Sequence, residues 1–160
     1  MKYLVVSDIH GSSYYANNIK EIFNKEDADK IILLGDLYYH GPRNPLTKEY
    51  NPMEVSKTFN SLKNNILCIK GNCDAEVDEM ISEFEFNESI TLEINGLKFF
   101  FTHGHKYNID NIPENIDVLV DSPFILELKS YDVPFRGSSN QRLINSKESV
   151  NQNKIIIYKY

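Results

Sequence analysis

Three short runs, "KYLVVSD" (residues 2–8), "KIILLGD" (30–36) and "ILCIKGN" (66–72), are almost wholly apolar until each stops at a polar turn carrying a carboxylate or a carboxamide. Unbroken apolar runs of this length fit strands buried on both faces, with site residues expected at their carboxyl ends. The intervals between them carry a helical period instead. "SSYYANNIKEIFNK" opens with serines suited to an N-cap and sets Tyr15, Ile19, Ile22 and Phe23 on one stripe; "MEVSKTFNSL" does the same with Val55, Phe59 and Leu62. The order strand, helix, strand, helix, strand leaves little choice but a layered α/β domain with parallel pairing. Residues 37–52 hold Pro42, Pro45 and Pro52 with Asn44 and Asn51, the composition of a long loop.

The second half changes period. In "SITLEINGLKFFFTHG" the alternation of Ile90, Leu92 and Ile94 runs into Asn95-Gly96, the preferred pair of a tight turn, and then into a second apolar run. That pattern predicts a β-hairpin. "DVLV" (117–120), "FILELK" (124–129) and "KIIIYKY" (154–160) are read as further short strands, and the polar stretch "PFRGSSNQRLINSKESVNQN" (134–153) as a loop.

Length and charge narrow the function. A chain of 160 residues with 41% hydrophobic composition can bury one core, so residues 1–160 are expected to form a single domain. The net charge is −6 with both signs interspersed, so no basic face is offered to duplex DNA or RNA. Cys68 and Cys73 have neither disulfide nor zinc-knuckle spacing, and "MKYLVVSD" is too short an apolar run for a signal peptide. No span approaches the roughly 20 apolar residues of a membrane helix. A cytoplasmic protein without membrane association is expected.

Four polar clusters each end a predicted strand: Asp8-Ile9-His10, Gly35-Asp36, Gly71-Asn72-Cys73-Asp74 and Thr102-His103-Gly104-His105. In open α/β sheets ligands bind beyond those ends. Asp8 and His10, two residues apart on a turn, can chelate one ion through an oxygen and a nitrogen. Asp36 has two oxygens with which to bridge two ions, Asn72 offers an amide oxygen and His103 an imidazole. This set suits Mn²⁺, Fe²⁺ or Zn²⁺. Two such ions about 3.5–4 Å apart can clamp a phosphoryl group, so phosphoester hydrolysis is the implied chemistry. His103 and Asn72 are the candidate catalytic residues. His105 is read either as a substrate contact or as an exposed loop histidine. His40 and Arg43, with Asn44, either cover a phosphate or belong to a solvated, proline-stiffened loop. Cys73 stands where a general acid would be expected, but a thiol serves that role poorly and no catalysis is assigned to it; Asp74 is read as orienting a neighbour.

The ordered set "DIHG", "GDLYYHGPRNP", "GNCDAEVD" and "THGHKY" resembles the calcineurin-like metallophosphoesterases, in particular the small bacterial phosphodiesterases of the YfcE type, from residue 1 to about 120. The resemblance implies a four-layer α/β/β/α sandwich with two packed mixed sheets and a dinuclear site, manganese first among its ions, with zinc, iron or nickel as alternatives. It implies that Asp8 and His10 bind the first ion, that Asp36 bridges, that Asn72 and His103 bind the second, and that the substrate is a small phosphodiester. Two exposed sheet layers allow a homodimer. The sequence departs from the family after "DVLV": the family's Gly-His-Thr-His turn, whose histidines each complete one metal, is replaced by Asp121-Ser122 before "PFILEL". The family's Asn-Pro-Gly-Ser turn survives only as "FRGSS" around Gly137. The alternative reading is therefore a catalytically impaired member of the fold that acts as a binding or scaffold module, since losing a first-shell ligand costs more than the 10–100-fold typical of a second-shell change.

Overall fold

The computed structural model describes residues 1–107, 116–121, 125–130, 132–133 and 135–159. Its first three strands, β1 (Tyr3–Val6), β2 (Lys30–Leu33) and β3 (Ile66–Ile69), stand side by side in that order and are joined by β4 (Phe86–Asn87). All pairings in this sheet are parallel, with Tyr3 opposite Lys30, Ile31 opposite Ile66 and Cys68 opposite Phe86. The register puts Ile31, Leu33, Ile66 and Cys68 on one face. Helices α1 (Ser13–Lys25) and α2 (Pro52–Asn60) join that face in one core through Ala16, Ile19, Phe23, Val55 and Phe59. Helix α3 (Glu76–Ile81) follows the turn after β3.

Two details differ from the sequence reading. β2 is buried throughout, but β1 is an edge strand and Val5 is exposed, because only one neighbour pairs with it. In α1 the buried stripe is Ala16, Ile19 and Phe23, and Tyr15 and Ile22, one position before Ala16 and Phe23, face solvent. Ser12 caps α1 by accepting from the Tyr15 N–H at 3.3 Å. Asn51 caps α2, and Pro52, read as the last residue of the loop, is the first residue of that helix, where a missing N–H costs nothing.

The hairpin forms as expected, with β5 (Ile90–Ile94) and β6 (Leu97–Phe101) joined by Asn95 at φ 53° and Gly96 at φ 78°, the left-handed pair that a tight turn of this kind requires. "DVLV" contributes β7 (Val118–Asp121), which pairs antiparallel with β8 (Arg142–Asn145). "FILELK" is not a strand: Leu126–Leu128 is a single 3₁₀ turn, with one bridge from Lys129 to Ser138. Among its described residues "KIIIYKY" forms no strand but makes an isolated bridge, Ile157 to Ile144. The polar stretch read as a loop holds β8 and helix α4 (Ser146–Gln152). This helix has no buried residue, and its ends are fixed by Asn145 accepting from the Glu148 N–H at 3.0 Å and by Asn153 in the left-handed region. Ser122 and the two residues after it lie outside the described residues.

The chain divides into two compact units: Met1–Ile90 with the segment that begins at Phe101, and Thr91–Phe100 with the described residues from Ile116 onward. In the second unit Asp117 ties three elements together, accepting from the Lys98 N–H at 2.9 Å, pairing with Lys147 at 2.5 Å and receiving the Ser146 N–H on its carbonyl at 3.1 Å. Among the described residues no helix is long and apolar enough to cross a membrane.

Candidate metal centre

All four polar clusters lie in the first unit, and the backbone brings their loops together. The turn leaving β1 is zipped to the turn leaving β2: the Asp8, His10 and Gly11 N–H groups donate to the carbonyls of Gly35, Asp36 and Leu37 at 3.1, 2.9 and 2.8 Å. This interlock holds Asp8, His10 and Asp36 at φ 58°, 48° and 57°, strained positions for residues with a Cβ. Gly35 and Gly71 touch back to back, and a Cβ on Gly71 would lie 2.9 Å from the Asp36 carboxyl carbon. Only glycine lets the turn after β3 come this close.

Asp74 organises the same region without offering a ligand. Its buried carboxylate accepts from the Asp36, Leu37 and Gly71 N–H groups, each at 2.8 Å. Asp36 in turn is 3% exposed, accepts the Cys73 N–H on Oδ1 at 2.7 Å, and turns Oδ2 toward two imidazoles. His10 Nε2 lies 3.8 Å and His103 Nε2 3.6 Å from that oxygen, and His10 Nε2 is 3.3 Å from Asp8 Oδ1. Two donors about 2.1 Å from one cation stand roughly 3–3.5 Å apart; the His10–Asp8 separation falls in that range and the two to Asp36 Oδ2 lie a few tenths of an ångström beyond it.

Both histidines are held in one tautomer by the main chain. His10 Nδ1 is 2.8 Å from the Tyr39 carbonyl and His103 Nδ1 is 2.8 Å from that of Leu34. A carbonyl only accepts, so each Nδ1 donates to it and each Nε2 is turned toward the cluster, the arrangement that backbone carbonyls behind the ring impose on metal-ligating histidines. His103 Nε2 then faces Asn72 Oδ1 at 2.9 Å. The amide is oriented that way because its Nδ2 donates to Cys73 Sγ at 3.3 Å. Two lone pairs at this distance repel unless a proton or a cation is shared between them. Asp8, Asp36 and His103 offer one ligand atom each within 4.8 Å of one another, and so do His10, Asp36 and Cys73. The five residues Asp8, His10, Asp36, Asn72 and His103 thus converge, with Asp36 common to both halves.

The remaining candidates are His40 and Arg43, on the loop after β2, and His105, beside His103. The loop after β2 is anchored to α1 by Ser12 and Ser13, which donate to the Lys48 and Glu49 carbonyls at 2.6 and 2.8 Å, and to the β1 turn by Thr47, which donates to the His10 carbonyl at 2.9 Å. His40 lies edge-on to Tyr39 and Tyr50, and its Nδ1 is buried without a partner among the described residues. Arg43 is exposed on the same loop. His105 is exposed, edge-on to His103 at 5.3 Å, and its pKa is lowered by partial burial and then by the neighbouring His103. Burial and the Asp36 carboxylate push the Cys73 thiol up to about 11. Its place in this cluster was not predicted from sequence, where no role was assigned to it.

A family model, the calcineurin-like phosphoesterase superfamily domain, matches residues 1–151. Phosphodiesterase YfcE of Escherichia coli K12 is 38% identical over 125 residues, which cover 75% of this chain and 67% of the relative. Phosphodiesterase MJ0936 of Methanocaldococcus jannaschii is 27% identical over 157 residues, 94% of this chain and 80% of the relative. The solved structure of YfcE, a phosphoesterase from E. coli, superposes with a TM-score of 0.70 at 34% identity over 73% of this chain. The match spans 65% of that structure. The mixed α/β architecture with several sheets is thus the one found in solved metallophosphoesterases.

Proposed function

Because this chain belongs to the calcineurin-like phosphoesterase superfamily, we propose that it hydrolyses small phosphodiesters at a centre of two divalent cations held by Asp8, His10, Asp36, Asn72 and His103. The observation that carries this reading is the convergence on Asp36 Oδ2 of two Nε2 lone pairs, each fixed by a backbone carbonyl on the opposite ring nitrogen. Two bound divalent ions supply Lewis-acid polarisation of a phosphoryl oxygen and lower the pKa of a water. Manganese is the first candidate, then zinc, iron or nickel.

The chain's own residues do the rest. Asp8 and His10 hold one side of the centre, Asn72 and His103 the other, and Asp36 joins them. The zipped turns after β1 and β2 keep the donors in place before substrate arrives, so little reorganisation is left for binding. His40, Arg43 and His105 stand at the rim as contacts for the ester oxygens and the leaving group. Both cysteines are free, which agrees with a cytoplasmic setting. The second reading, a binding module of impaired activity, is favoured by one observation: no histidine follows His105 in the sequence.

Calorimetric titration with Mn²⁺, paired with hydrolysis of bis(p-nitrophenyl) phosphate, separates the two. Turnover with metal that falls by at least about 100-fold in Asp36→Ala supports the enzyme. Cation binding without turnover supports the module, and absence of binding at millimolar Mn²⁺ overturns the metal centre itself.

A further inference from the structure

We infer that Cys73 is a ligand of the centre, its sulfur joining His10 and Asp36 around one cation and biasing that position toward thiophilic ions such as Zn²⁺, Co²⁺ or Cd²⁺ over Mn²⁺. The inference rests on the metal-centre reading above and adds a residue that oxygen and nitrogen chemistry alone does not call for.

The geometry comes from three loops. His10 Nε2 is released toward the interior by the Tyr39 carbonyl. Asp36 is anchored on Oδ1 by the Cys73 N–H itself, so the carboxylate and the cysteine are held in one short ring of contacts. Cys73 Sγ, His10 and Asp36 present their ligand atoms within 4.8 Å of one another. A sulfur and a nitrogen on one tetrahedral cation stand about 3.5 Å apart, within the 4.8 Å that bounds this group. The sulfur is already polarised from one side by the Asn72 amide at 3.3 Å. His105, the other side chain near enough to be considered, belongs to neither ligand cluster among the described residues and faces solvent.

The chemistry is that of proton replacement. The S–H bond breaks, the sulfur's electron pair passes to the cation, and the proton goes to buffer. A thiolate in place of an imidazole or carboxylate shifts preference from manganese to softer metals. It also supplies one donor where the sequence lacks the two histidines of the family's Gly-His-Thr-His turn.

The test uses the full chain titrated with Co²⁺ and with Cd²⁺, followed by near-ultraviolet absorption and calorimetry, in the wild type, Cys73→Ser and Asp36→Asn. The expected result is a sulfur-to-metal charge-transfer band in the wild type that is absent in Cys73→Ser. Cd²⁺ affinity should fall by about 100-fold or more in Cys73→Ser, while Mn²⁺ affinity changes by less than about tenfold. Circular dichroism of Cys73→Ser confirms that the variant is folded. Co²⁺ binding without the band, or a band that survives in Cys73→Ser, overturns the thiolate and leaves the dinuclear centre standing when Asp36→Asn abolishes binding. No binding of any divalent ion overturns both.

Discussion

Asp74 contributes no donor to the centre, yet three buried N–H groups depend on its carboxylate. Each N–H left without a partner costs about 1–3 kcal/mol. Asp74→Ala should therefore lower unfolding free energy by at least about 3 kcal/mol, read from the urea midpoint, and weaken Mn²⁺ binding by releasing the Asp36 turn; an unchanged midpoint would show that water replaces the carboxylate. At this scale the sequence was legible where a polar residue of the convergent cluster closely follows an apolar run, as Asp8, Asp36, Asn72 and His103 all do. Asp74 was legible as a residue that orients a neighbour. Cys73 was not, because its part in the cluster arises only when the turns after β1 and β2 meet the turn after β3, a coincidence of three loops that no local spacing encodes.

The turn after β3 can approach the turn after β2 only across two glycines. Gly71→Ala would press a methyl against the Asp36 carboxylate, and we predict a loss of divalent-ion affinity of at least tenfold by calorimetry, with the parallel sheet retained by circular dichroism. In the second unit Asp117 links β6, β7 and α4, and its pKa is lowered by the Lys147 ammonium and then by the Lys98 N–H. A depressed carboxyl stabilises the fold above its unfolded value, near pH 4, and that contribution fades as pH falls through the lower folded value. Amide protection in β7 and α4, taken relative to the intrinsic exchange rate at each pH, should fall on acidification in the wild type and lose that acid limb in Asp117→Asn; identical profiles would sink the assignment. Elements with an apolar period were readable in advance, namely β2, β3, α1, α2 and the hairpin. Helix α4 was not, since it is held by Asn145 and Asn153 at its ends and buries nothing. Nor was the 3₁₀ turn at Leu126–Leu128, whose aliphatic composition imitates a strand.

For the whole chain, cation binding and folding are linked. A divalent ion at 100 times its dissociation constant stabilises the native state by about 2.7 kcal/mol, which for a chain of this size raises Tm by about 5–10 °C. Adding a chelator should remove that increment, and a Tm indifferent to Mn²⁺ and chelator alike would contradict the centre. The order of strands and helices in the first unit was legible because burial imposes its period on sequence; the division into two units was not, because it depends on contacts between residues far apart in the chain. One such contact, the His103 ring against the Leu34 carbonyl, joins positions 69 residues apart. During synthesis Asp8, His10 and Asp36 leave the ribosome well before that ring does, and a nascent chain at this stage displays a half-built, anionic chelator. The His103 ring can join them only once the chain through the hairpin, residues 90–101, has been made.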